Sequence, residues 1–176
     1  MTTIPVPAFV GLDHDEALRR ATDEMARLEA LVESAADDAQ LLARLAGLPG
    51  GPLGALALIV YGIPSAFRPE EAGAETGLVE FRIDVAGVEH GLRLSFGDGS
   101  CAVLAEAGPG RPDAVIMISV ATFLRIAFKY LDGNDAYLRG ETDLDGDVFL
   151  ATSLDQWFAV PSVVDGEWPV ADGARS

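Results

Sequence analysis

Few residues in this sequence have the type and spacing that catalysis or metal binding requires. His14 and His90 are the two histidines, and Cys101 is the single cysteine. No cysteine or second histidine lies near either histidine, so a zinc site is not expected. We expect solvated histidines and a cysteine buried as a small hydrophobic residue. The sequence also lacks a nucleophile elbow, a phosphate-binding loop and a dinucleotide fingerprint.

The acidic run 141–147 (ETDLDGD) partly matches a calcium-binding loop. With Glu141 at position one, acidic residues fall at positions three and five and Gly146 falls at position six. Position one is normally Asp, however, and position twelve is Thr152 instead of a bidentate Glu. We therefore expect a turn in which Asp147 caps a helix. No metal, cofactor or enzymatic activity is predicted.

Charge and hydropathy define the broad class of protein. The 176 residues include 12 Lys and Arg against 28 Asp and Glu, a net charge of −16, yet 49% are apolar. A disordered acidic chain would have fewer apolar residues. A basic face for nucleic acid is missing, and an anionic membrane would repel the chain, so at most transient membrane contact is expected. The single cysteine, and the absence of a secretory signal or long apolar span, indicate a cytoplasmic protein.

The N-terminal part is predicted to be helical. Residues 13–46 form a helix or helical hairpin, capped by Asp13 with Glu16 as its capping-box partner and broken near Asp37-Asp38. Helical spacing groups the apolar residues Leu18, Met25, Leu28, Val32, Ala35, Ala39, Leu42 and Ala46 on one face. Two interpretations remain open. The face either packs on the protein's own core or forms a homodimer or protein-partner surface.

A breaker cluster at 48–52 separates this part from an apolar segment. Residues 53–61 are apolar nearly all round and predict a buried helix, ended by Pro64 and Pro69. One helical turn follows at 69–72. From residue 78 the period changes to two, which is typical of half-buried strands. The predicted strands are 79–85, 92–96 and 101–105, an antiparallel meander, and 114–118, which is apolar on both faces and hence central.

The remaining elements follow from capping residues. The predicted elements are a helix at 120–131, capped by Ser119 and ended by Asp132-Gly133; a short helix at 134–139, ended by Gly140; a strand at 141–144; and a helix at 148–158. The large apolar residues on the inward faces of these elements form either a plain core or a cavity.

The order of these segments resembles a sterol carrier protein 2 type domain over about residues 53–158. FRPEEA (67–72) and VEFRI (79–83) resemble its opening, and LRLSFGDG (92–99) resembles its second strand and turn. PDAVIMIS (112–119), DAYLRG (135–140), DGD (145–147) and LDQWF (154–158) resemble its later elements. The ordered set carries the resemblance.

The resemblance implies an α/β (α+β) fold, with a mainly antiparallel five-stranded sheet covered by helices and an apolar tunnel between them. It implies non-enzymatic binding or transfer of a fatty acid, sterol or phospholipid. The domains expected are a helical extension (1–48), the lipid-binding domain (49–160) and a flexible tail (161–176). The expected tunnel residues are Phe81, Ile83, Leu92, Leu94, Ile116, Ile118, Phe123, Leu124, Phe128, Leu131, Leu154, Trp157 and Phe158.

The sequence departs from the family pattern in places that affect ligand choice. Glu141 replaces the usual basic residue after Gly140, and the loop 108–112 is rich in Gly and Pro. With few cations near the tunnel mouth and a charge of −16, we expect acyl-CoA phosphates to be disfavoured. The alternative function is an interaction or accessory module whose tunnel is filled.

Overall fold

The structure, a computed structural model, describes residues 2–9, 11–104 and 110–161. The elements in this part of the chain are β1 (Thr2–Thr3), α1 (His14–Ser34), α2 (Asp38–Leu45), α3 (Gly51–Ala66), α4 (Pro69–Ala72), β2 (Gly77–Val85), β3 (Val88–Gly97), β4 (Ser100–Leu104), β5 (Ala114–Ser119), α5 (Val120–Ala127), α6 (Gly133–Leu138), β6 (Thr142–Gly146) and α7 (Val148–Trp157).

The N-terminal part is a helical hairpin, as predicted. The Asp13 side chain accepts a hydrogen bond from the Glu16 amide at 3.1 Å and begins α1. Asp37 accepts one from the Gln40 amide at 2.8 Å and begins α2. Helix α1 ends at Ser34 and α2 begins at Asp38, so one helical spacing does not continue through both helices. The residues predicted to be buried in α2 are therefore partly wrong. Leu41 and Leu45 are buried in α2, in place of Ala39 and Ala46, which are exposed.

The apolar face of this hairpin is covered by the rest of the chain. Met25, Leu28 and Val32 of α1 and Leu41 and Leu45 of α2 belong to one hydrophobic core together with α3 and α5. Packing within the chain therefore accounts for the face. A partner bound through residues 13–46 remains a prediction and would have to use other side chains.

Helix α3 runs through the centre of the protein. Its residues are apolar all round and buried on most sides. The prediction that Pro64 ends this helix is wrong, because the helix continues to Ala66. Proline removes one amide donor and its ring crowds the carbonyl four residues earlier, but its fixed φ near −65° is helical, so the chain continues as helix to Ala66.

The sheet is mixed, and its strand order is β1-β3-β2-β5-β6, with β4 also paired to β3. The hairpins β2–β3 and β3–β4 are antiparallel, as the predicted meander requires. Strands β5 and β6, which are separated by two helices, also pair antiparallel. Strand β5 lies beside β2 and parallel to it, which places β5 in the interior of the sheet. The short β1 adds a parallel pair with β3. The predicted sheet is thus confirmed in its mainly antiparallel character, with one short strand added.

The two faces of the sheet differ in chemistry. Val79, Phe81 and Ile83 of β2 face the helices, whereas Glu80 and Arg82 alternate onto the other face. Glu80 is only 2% exposed, although the alternation predicts a solvated residue. It is buried by its two ion-pair partners, Arg82 and Arg93, each with a nitrogen 2.8 Å from a Glu80 carboxylate oxygen.

The C-terminal half holds one clear departure from prediction. Ser119 caps α5 as expected, accepting a hydrogen bond from the Thr122 amide at 3.1 Å. The helix ends at Ala127 instead of residue 131, and Lys129 takes a left-handed conformation with φ +62°. Asp132 was predicted to end this helix, but it caps α6 through the amides of Asn134 and Asp135.

The last strand and helix follow the prediction more closely. The acidic run 141–147 forms β6 and the start of α7, where Asp147 accepts a hydrogen bond from the Leu150 amide at 3.0 Å. Part of the loop 108–112 and most of the tail 161–176 lie outside the described residues.

Candidate functional site

An apolar cavity of about 130 Å³ lies between the sheet and helices α3, α5, α6 and α7. Strand residues form its floor, and helix residues form its walls and roof. Its lining residues are Ile59, Ile63, Ala66, Phe81, Leu94, Ile116, Ile118, Phe123, Ile126, Ala127, Lys129, Gly133, Tyr137, Thr142, Leu144, Ala151, Thr152, Leu154, Asp155, Phe158, Ala159 and Pro161.

Seven of the thirteen predicted tunnel residues line this cavity. They are Phe81, Leu94, Ile116, Ile118, Phe123, Leu154 and Phe158. Six of them come from the inward faces of strands or from helices that cover the sheet, and Phe158 directly follows α7. That these side chains contact a ligand stays a prediction.

The other six predicted residues do not line the cavity: Ile83, Leu92, Leu124, Phe128, Leu131 and Trp157. Leu124 is wholly buried in the core, on a helix that also contacts α1, α2 and α3. Trp157 packs edge to face on Phe96 with ring centroids 5.4 Å apart. Helical spacing separates buried from exposed residues, but it does not show which part of a buried face borders empty space.

Sequence reasoning missed the other lining residues, and two groups among them show why. Ile59, Ile63 and Ala66 come from α3, and because that helix is apolar all round, its period selects no face. The polar group includes Lys129 and Asp155. The sequence does single out Lys129, because it is the only lysine and it follows an apolar helix.

An ion pair forms part of the cavity lining. The Lys129 ammonium donates to the Asp155 backbone carbonyl at 2.5 Å and to Asp155 Oδ1 at 2.7 Å. The Lys129 side chain is 33% exposed and that of Asp155 is 16% exposed. Tyr137, also half-exposed, lines the same cavity. All three side chains therefore line the cavity and are also accessible to solvent.

The two histidines and the single cysteine lie outside the cavity lining. Cys101 is half-buried against the core, and burial raises the pKa of its thiol to about 12. His14 is exposed. His90 is buried, contrary to the expectation of a solvated side chain, because it lies on the inward face of β3 with Leu92 and Leu94. None of these three lines the cavity.

The described residues contain neither a cluster of metal ligands nor a helix that could span a membrane. Nowhere in them do three or more His, Cys, Asp or Glu side chains come together as metal ligands would. None of the helices in the same ranges combines the length and hydropathy needed to cross a bilayer.

The mixed sheet, its helical cover and the apolar cavity between them are features of the α/β lipid-carrier class. The chain belongs to the SCP-2 sterol transfer family, whose model matches residues 68–159, just over half of the sequence. Membership supports lipid or sterol binding or transfer as the general function. No protein with a curated description matches the sequence.

The solved structures to which the chain is similar share little sequence with it. Sterol carrier protein 2 like 2 from Aedes aegypti is 16% identical, with a TM-score of 0.42, over 79% of this chain and 97% of that one. Sterol carrier protein 2 from Yarrowia lipolytica is 12% identical, with a TM-score of 0.43, over 77% and 89%. An inverting sec-alkylsulfatase from Pseudomonas sp. is 13% identical, with a TM-score of 0.50. The similarity covers 91% of this chain but only 27% of that enzyme.

Proposed function

We propose that the protein binds the apolar part of a lipid in the cavity and carries it without chemical change. The cavity is the observation that supports this function, because its lining is largely apolar and includes one partly exposed ion pair. Burial of apolar ligand surface contributes roughly 25 cal/mol per Å². Within the described residues, no cysteine or histidine borders the cavity to act as nucleophile or base. The single cysteine favours a reducing compartment such as the cytoplasm.

The size of the cavity limits what it encloses. At about 130 Å³ it is close to the engineered apolar cavity of roughly 150 Å³ that takes up benzene. The space therefore holds a ring or a short stretch of chain. A fatty acid, sterol or phospholipid would place one apolar end inside and extend past the partly exposed Lys129 and Asp155, or widen the gap between sheet and helices.

Binding of a neutral apolar dye tests this function on the full chain. Nile red is titrated into the protein, and lipids that co-purify are extracted and identified by mass spectrometry. We expect saturable dye binding that an excess of the extracted lipid reverses. A folded protein that binds neither the dye nor any lipid would contradict the proposal.

A space-filling variant assigns the binding to this cavity. Ala127→Phe adds a ring to the cavity lining, and we expect dye affinity to fall at least tenfold. Ala39→Phe is the matched control, because Ala39 is exposed on α2 and does not line the cavity. Cooperative thermal unfolding of both variants verifies that they fold. Equal affinity in the two variants would place the dye elsewhere on the protein.

A further inference from the structure

The backbone at Lys129 is unusual for a lysine. Helix α5 ends at Ala127, and Lys129 two residues later has φ +62°. Glycine is the usual residue at this left-handed position after a helix, because side chains are crowded there. A non-glycine residue held in such a conformation suggests that its side chain is needed at that place.

The Lys129 side chain reaches from the end of α5 to α7 along the cavity lining. It bonds to Asp155 on α7, which lies 26 residues further along the chain. Lys129 and Asp155 are the charged members of the cavity lining. The rest of the lining is apolar or carries neutral polar groups, so this pair sets the charge that a bound ligand meets.

Hydrogen-bonding capacity remains on both partners. An ammonium has three N–H donors, and two of those on Lys129 are used by the Asp155 carbonyl and Oδ1. Asp155 Oδ2 accepts only a long contact of 3.5 Å from the Gly133 amide. The pair therefore offers a ligand one N–H donor of Lys129 and one acceptor oxygen, Asp155 Oδ2.

We infer that Lys129 and Asp155 form the polar subsite of the cavity and select lipids whose polar end is a neutral hydroxyl group over lipids that end in a carboxylate or phosphate. This inference rests on the proposed lipid-binding function. A hydroxyl group accepts a hydrogen bond from the ammonium and donates one to Asp155 Oδ2, which uses both remaining positions at once.

An anionic head group fits the same subsite poorly. It can accept from Lys129, but it has no proton to donate to Asp155 and it lies beside that carboxylate. Asp155 is only 16% exposed, so solvent screens this repulsion incompletely. Displacing Asp155 from Lys129 would leave a partly buried carboxylate without its cation. The chain charge of −16 adds to the repulsion at longer range.

Two ligands of equal chain length test the selection. The affinities of 1-decanol and decanoate for the full-length protein are measured by isothermal titration calorimetry at pH 7.5, below their aggregation limits. We expect decanol to bind at least tenfold more tightly than decanoate. Equal affinities, or tighter binding of decanoate, would overturn the inference while leaving the lipid-binding function intact. If neither ligand binds and Nile red does not bind either, both proposals fail.

Removing the carboxylate should reverse the selection. In Asp155→Asn, Lys129 keeps its charge and loses the competing anion, so we expect decanoate affinity to rise at least tenfold. Decanol affinity should fall, because the single Asn side-chain oxygen replaces the two Asp155 oxygens that accept from Lys129 and from the hydroxyl. Asp143→Asn is the matched control, because it removes the same charge from an exposed position outside the cavity lining. An unchanged ratio of the two affinities in Asp155→Asn would contradict the subsite.

Chemical protection provides a readout that needs no variant. Because Lys129 is the only lysine in the chain, acetylation by an amine-selective reagent at a lysine reports on this side chain alone. Saturating decanol should slow the acetylation of Lys129 at least fivefold, measured on its peptide by mass spectrometry. Acetylation at the same rate with and without bound decanol would show that the hydroxyl lies elsewhere.

Discussion

Phe81 of β2 and Phe123 of α5 meet edge to face across the cavity, with ring centroids 5.7 Å apart and ring planes at 78°. This pair joins the floor of the cavity to its helical wall. Edge-to-face contact places the positive rim of one ring on the negative face of the other, which contributes about 1 kcal/mol beyond apolar burial. The contact between the two rings therefore stabilises the packing of α5 on β2 beside the cavity.

Removing one ring of this pair should enlarge the cavity and destabilise the fold. We expect Phe123→Ala to lower the free energy of unfolding by about 3 kcal/mol, the usual cost of removing a buried ring, as measured by urea denaturation. Phe149→Ala is the control because Phe149 is 78% exposed, and it should change stability by less than about 0.5 kcal/mol. Similar losses of unfolding free energy in both variants would contradict the stabilising role of the ring pair.

The N-terminal hairpin should be part of the same cooperative unit as the cavity-bearing domain. Leu28 of α1 is wholly buried in the shared core, so Leu28→Ala is expected to cost about 3 kcal/mol in a single urea transition. Leu138→Ala, at a position 80% exposed, is the matched control. A separate early transition confined to the helices of residues 14–45 would instead show that they unfold independently.

The buried carboxylate of the sheet should make stability depend on pH. Burial alone raises the pKa of Glu80, but hydrogen bonds from Arg82 and Arg93 outweigh it and leave this pKa below its ordinary value of 4.5. The stabilisation is therefore complete above pH 4.5 and is lost as the pH falls through the lower native pKa. We expect Glu80→Gln to cost about 2 kcal/mol at pH 7, given one buried and one half-exposed partner, and to lose stability less steeply below pH 4.5.

A second glutamate between two arginines is the control for this prediction. Glu16 on α1 pairs with Arg19 and Arg20 at 2.8 Å, but this cluster lies on the protein surface. Glu16→Gln should change the free energy of unfolding much less than Glu80→Gln, because water screens exposed ion pairs. Equal effects of the two substitutions in parallel urea titrations at pH 7 and pH 4 would contradict the importance of burial.

Cys101 should react slowly in the folded protein. Burial raises its thiol pKa to about 12, so little thiolate is present at pH 8, although the rarer thiolate is a somewhat better nucleophile. Taken together, we expect alkylation by iodoacetamide to be about a hundredfold slower than in the chain unfolded by urea. Mass spectrometry of the intact chain measures both rates. Comparable rates in the two states would show that the thiol is accessible and ionised.

The sequence alone was sufficient where local chemistry decides the structure. Asp13, Ser119 and Asp147 cap helices as predicted, because a cap depends on residues two or three positions away. The two-residue period placed Phe81 and Ile116 on the inward face of the sheet for the same reason. The wrong end predicted for α5 shows the limit of this reasoning, since Lys129, not a glycine, takes the left-handed position.

Only the tertiary structure decided which inward residues border empty space and which fill it. Strand β5 joins β2, α7 packs against β5 and β6, and the cavity lies between these elements and helices α3, α5 and α6. Lys129 and Asp155 are 26 residues apart and meet only after that packing. Glu80 is buried by an arginine from the neighbouring strand for the same reason. Local periods determine which way a side chain faces, whereas cavities and ion pairs depend on what distant segments place opposite it.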